Sequence, residues 1–186
     1  MAALRSQSAM SYMWLTIFTL GSPAVCAEPP ADAPLPELAV LDPFVGSWLF
    51  ETEKQVGFSA RQECRWILNK QFLEIDTQMF LPGHPPSSWR TLITYDKTDA
   101  CYRQWKFSDD GTVSTARGTW NDDTSTLTLS GRASSGNHEE SRIALIEDNT
   151  MVFAVRKFLD DKRTRMSVVR FTLNRVPAAE ERQPTE

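Results

Sequence analysis

From Val45 onward, turn signals break the chain at roughly 10–12-residue spacing, and no sustained helical period runs between them. Gly57, Asn69-Lys70, Asp96-Lys97-Thr98-Asp99, Asp109-Asp110-Gly111, Asn121-Asp122-Asp123, Ser134-Ser135-Gly136-Asn137, Glu147-Asp148-Asn149 and Asp160-Asp161-Lys162 are the short breaks. The longest is Leu81–Ser88, whose prolines cannot donate to a sheet ladder. The segments between predict ten strands: Val45–Lys54, Phe58–Leu68, Gln71–Phe80, Trp89–Tyr95, Cys101–Phe107, Thr112–Trp120, Ser125–Gly131, Glu139–Ile146, Met151–Phe158 and Thr164–Val176. Turns this short make sequence neighbours spatial neighbours. The expected fold is therefore all-β, a single antiparallel up-and-down barrel.

Alternation along each strand sorts residues onto two faces. On the second strand Phe58, Ala60, Cys64, Trp66 and Leu68 oppose Arg61, Glu63 and Arg65. On the last, Val169, Phe171, Leu173 and Arg175 oppose Val168, Arg170 and Thr172. Where both faces carry apolar residues, parity alone leaves the inward face undetermined.

The ends of the chain have a different character. Arg5 followed by the apolar run Tyr12–Leu20 and the small-residue site before Glu28 reads as an export signal over residues 1–27. A secreted or periplasmic location follows as the expectation. The apolar run is shorter than the roughly 20 residues a spanning helix needs. Cys26 raises lipidation as an alternative, although Val25 stands where a small residue belongs. Residues 28–36 are a Pro-rich linker, and residues 177–186 a tail with little to bury. Between them, Glu37–Leu41 predicts a helical turn able to plug one barrel end with Leu38 and Leu41. Removing residues 1–27 moves the net charge from −4 to about −5, a field that disfavours nucleic acid as a partner. Cys64 and Cys101 fall on non-adjacent strands. Two unpaired thiols are expected, with a disulfide as the alternative.

Gly46-Ser47-Trp48 on the first strand and Phe171-Thr172-Leu173-Asn174-Arg175 on the last resemble the two ends of a calycin barrel, the superfamily of lipocalins and fatty-acid-binding proteins. That resemblance implies a structural closure in which Trp48 is crossed by Arg175, with Arg170 the second choice. The chain is more specifically similar to a bacterial calycin-like family of unknown function. Leu41–Trp48, Thr91–Asp96, Tyr102–Trp105, Gly118–Asn121 and Leu127–Leu129 carry the likeness. With only Gln55-Val56-Gly57 after the first strand, the helical lid of fatty-acid-binding proteins has no room.

The resemblance implies a small-molecule ligand inside the barrel, hydrophobic or amphipathic. Trp66, Glu74, Arg103, Trp105 and Arg117 are the expected ligand-binding residues. If the face carrying Arg103, Trp105 and Arg117 points inward, each guanidinium needs a carboxylate there, from Glu74, Asp76 or a ligand. If it points outward, the arginines pair with acids across strands. No cofactor is expected. By likeness to haem-binding barrels, His138 is the residue through which haem would enter. No His/Asp/Glu triplet has metal-ligand spacing, and no nucleophile elbow is present. The leading expectation is a non-enzymatic binding barrel. An enzyme using a polar pair such as Glu74 with Arg103, or an interaction module with a filled core, are the alternatives.

Overall fold

The computed structural model describes residues 34–51, 58–133, 135–159 and 165–177. The expectations for residues 1–27, for most of 28–36 and for 178–186 lie outside these. A 3-10 helix, Pro36–Phe44, leads into ten strands. They are β1 (Gly46–Glu51), β2 (Ser59–Ile67), β3 (Phe72–Phe80), β4 (Ser87–Asp96), β5 (Cys101–Ser108), β6 (Val113–Asn121), β7 (Thr126–Arg132), β8 (His138–Glu147), β9 (Thr150–Phe158) and β10 (Met166–Arg175). Every sequential pair is antiparallel. β10 returns to β1 through Trp48↔Arg175 and Leu49↔Asn174, so the sheet closes as the up-and-down barrel expected.

Strand limits follow local chemistry. β4 begins at Ser87, earlier than Trp89, because the Ser88 amide donates to Asp109 Oδ2 at 2.6 Å and ties the end of the Pro loop to the β5–β6 turn. β2 stops at Ile67. Leu68, Asn69 and Lys70 all take positive φ to make the turn, which puts Leu68 in solvent rather than on the strand face.

One end of the barrel is filled. Leu38, Leu41 and Phe44 of the 3-10 helix are buried against Trp48, Cys64, Leu73, Ile93, Leu127, Leu129 and Leu173. Hydrogen bonds fasten the plug. Trp48 Nε1 donates to Phe44 O at 2.8 Å, Tyr102 Oη to Glu37 O at 2.6 Å, and Trp66 Nε1 to Asp42 Oδ1 at 2.7 Å. The Trp48 and Tyr102 groups would otherwise be stranded in an apolar end cap, while the Trp66–Asp42 bond lies at its exposed edge. Cys64 and Cys101 are free thiols.

Candidate functional site

The inward face changes character along the strands. Close to the plug it is aliphatic. Further along, the same parity brings in Gln62, Thr77, Thr91, Gln104, Lys106, Glu139, Ser141 and Lys157. These residues line two adjoining cavities, one of about 180 Å³ and one of about 80 Å³. Gln104, Lys106, Glu139 and Ser141 face both. β5 supplies Gln104 and Lys106, β8 supplies Glu139 and Ser141, and β9 supplies Lys157, register partner of Glu139.

Lys106 is the centre of this half. Its Nζ sits 4.4 Å from the centroid of the Trp89 ring, where the indole face attracts a cation. Among the described residues it makes no ion pair and no hydrogen bond. Burial pushes its ammonium below the usual lysine range, and the charges of Glu139 and Asp110 only partly offset this. Its position is thus that of a cation held in a cavity without a bonded counter-charge.

Opposite the polar wall is an aromatic one. Phe50 meets Phe58 at 5.3 Å and Phe171 at 5.1 Å between centroids, both edge-on, while Phe153 stacks on Phe171 at 6.4 Å. A small space of about 30 Å³ lies among these rings, Met79 and Trp89. Thr77, Gln62, Trp89 and Phe153 line both this space and the 80 Å³ cavity. The interior is thereby amphipathic, cationic and amide-lined on one side and aromatic on the other.

A larger groove, about 700 Å³, lies outside the barrel against the plug, lined by Val40, Pro43, Trp120, Leu145, Asp148 and Arg175 among others. It offers no available cation. Arg175 already donates to Val45 O at 2.5 Å, Pro43 O at 2.7 Å and Asp148 O at 3.3 Å.

The residues singled out from sequence are dispersed. Trp66 faces inward, but at the plug, bound to Asp42. Glu74 is buried on the outer side, 2.5 Å from Arg65 and 3.8 Å from Arg90. Arg103 also lies outside; its Nε is 2.7 Å from Asp96 and its Nη2 2.5 Å from Asp99. Arg117 reaches the same Asp99 at 3.0 Å, and Trp105 packs against Phe72, 6.4 Å between centroids. Of the two placements open from sequence for Arg103 and Arg117, the structure takes the outward one. Glu74 and Arg103 therefore form no pair. The reason is Tyr102. It packs in the core and donates to the plug, which turns even-numbered β5 residues inward and odd-numbered ones out. Trp48 and Arg175 do meet, with Arg175 Cζ 4.3 Å from the Trp48 ring centroid. His138 lies at the start of β8, its Nε2 2.9 Å from Ser130 Oγ. Among the described residues no group of three or more His, Cys, Asp or Glu is placed to hold a metal ion.

Nothing in the sequence singled out Lys106, and Gln104 stood inside the Tyr102–Trp105 segment without a role of its own. The signal that could have found them is on the facing strand. Ala116 and Gly118 are small residues opposite Gln104 and Tyr102, as expected where side chains crowd a barrel interior.

The model of a family described as a protein of unknown function, DUF1579, matches residues 33–175. The match takes in the 3-10 helix and all ten strands. No curated protein matches the chain. The chain belongs to the DUF1579 family.

Proposed function

We propose that this member of the DUF1579 family is an exported barrel that binds a small amphipathic acid in its interior. The carboxylate lies against Lys106, with Gln62 and Gln104 as amide donors, and the apolar part lies toward Phe50, Phe153 and Phe171. The observation that carries this reading is the Lys106 ammonium, inside the barrel on the Trp89 face, with no carboxylate bonded to it among the described residues. A half-buried cation without a bonded counter-ion carries a desolvation cost, and an anionic ligand offsets it. Glu139 faces the same cavities. It tempers the field without an ion pair to Lys106, and with Lys157 it leaves the polar wall net cationic.

Size selects among acids. Drug-sized ligands occupy about 300–1,000 Å³. Cavities of about 180 and 80 Å³ suit a carboxylate with a few carbons behind it, and a long acyl chain only if the phenylalanines move. Calorimetric titration with straight-chain carboxylates of increasing length tests this. Saturable binding that weakens sharply in Lys106→Met, and that peaks at short or medium chain length, supports the proposal. If no carboxylate binds, and nothing co-purifies in native mass spectrometry of protein from its own source, the proposal fails.

A further inference from the structure

Thr77 has 1 % of its surface exposed, and among the described residues its Oγ1 has no hydrogen-bond partner. Barrel interiors rarely leave a hydroxyl in this state, and a valine would fill the same place without the penalty. The position of Thr77 is informative. Its register partners are Gln62 on β2 and Trp89 on β4, and the Trp89 ring is the one that carries Lys106. Thr77 lines both the space among the phenylalanines and the cavity that holds Lys106. A ligand that puts its acid on Lys106 and its apolar end among the rings passes this hydroxyl on the way.

We infer that Thr77 selects a ligand with a second oxygen on its chain, a hydroxy- or oxo-carboxylic acid whose oxygen accepts a hydrogen bond from Thr77 Oγ1. The inference rests on the interior acid site described above and deepens it from an amphipathic acid to an oxygenated one. Gln62, facing the same two spaces, supplies the neighbouring amide. Lys106 fixes the charged end, and Thr77 reads the substituent. Trp89 lines both spaces with Thr77 and carries Lys106 on its ring, so the two groups are joined by one side chain.

The test compares hexanoate with its hydroxy and oxo derivatives, substituted at successive carbons, by calorimetry on the full chain. The expected result is that at least one oxygenated acid binds about fivefold to tenfold more tightly than hexanoate, the gain of one hydrogen bond to an otherwise unpaired group. In Thr77→Val that advantage disappears, so that hexanoate and its oxygenated derivatives bind alike. The ligand-free variant should also melt at a higher temperature, since a methyl replaces an unpaired hydroxyl. Three outcomes overturn the inference: equal binding of plain and oxygenated acids, a preference that survives in Thr77→Val, or a lower melting temperature for the variant. If hexanoate and all its derivatives fail to bind, the inference is refuted; the acid site falls with it when the other straight-chain carboxylates also fail and nothing co-purifies.

Discussion

Arg175 lies across the indole of Trp48, Cζ 4.3 Å from the ring centroid, and the two residues are register partners at the seam where β10 meets β1. The contact does three jobs at once. It covers the ring face, joins the first and last strands, and delivers guanidinium donors to the carbonyls of Pro43 and Val45, where the 3-10 helix enters β1. Arg suits the task better than Lys because its planar fork serves two carbonyls while stacking on an aromatic face.

Trp48→Ala should lower unfolding free energy by about 3–5 kcal/mol, the usual cost of emptying a large buried aromatic site. Urea denaturation measures it. Arg175→Lys should also destabilise, because one ammonium cannot reproduce both carbonyl contacts. Loss of ligand binding with unchanged stability in either variant would contradict a closure role.

Gly46→Ala probes the same corner through the backbone. Gly46 has φ of +131°, and a Cβ placed there would come within 2.5 Å of Arg175 Nη1. The variant must strain its backbone and displace the guanidinium together, so the loss should be about 1–3 kcal/mol or more. A neutral Gly46→Ala, measured by the same denaturation, would show that the closure tolerates rearrangement.

Lys106→Met should separate binding from stability. It removes a cation held from water without an ion pair, so the ligand-free variant should be at least as stable as the parent while carboxylate affinity collapses. In the parent, affinity should fall as pH rises through the depressed ammonium value, below the range of a surface lysine. Arg103→Gln and Arg117→Gln should leave affinity unchanged, since both side chains pair with Asp99 on the outer face. A drop in either would return the site to the face that carries Arg103 and Arg117.

Alkali should unfold the protein from the plug end. Burial raises Cys64 from 9.0 to about 12, with Glu63 adding to the effect and Arg175 opposing it. Burial likewise raises Tyr102 from 10.0 to about 12, with Tyr95, Glu37 and Asp122 adding. Between the ordinary and raised values the folded chain holds protons that the unfolded chain has lost. The contribution of these two groups is therefore full below about pH 9 and declines as pH climbs toward 12, at up to about 1.4 kcal/mol per pH unit for Cys64. Denaturation midpoints across that range check the slope. Cys64→Ala should delay the onset to the Tyr102 range.

Much of the barrel is legible in the sequence. Turn chemistry such as Asp109-Asp110-Gly111 is local, so strand number and order followed from it. The plug was legible too, because Leu38 and Leu41 recur at helical spacing just before the first strand. The interior site was less so. On β5, Arg103, Trp105 and Phe107 offered a conspicuous aromatic and cationic face, while Tyr102, Gln104 and Lys106 looked ordinary. Trp105 and Phe107 are apolar residues on the outside, which a barrel tolerates at modest cost and alternation cannot distinguish from core.

Sequence by itself determined the all-β class, the ten-strand meander and the helical turn at its end, since each depends on residues a few positions apart. Tertiary structure alone decided which parity faces inward on β5 and β6, and so which cation enters the cavity. That choice rests on Tyr102 reaching the carbonyl of Glu37, a contact across 65 positions. Alternation has period two and no sign: it says which residues share a face, and only a distant partner says which face is buried.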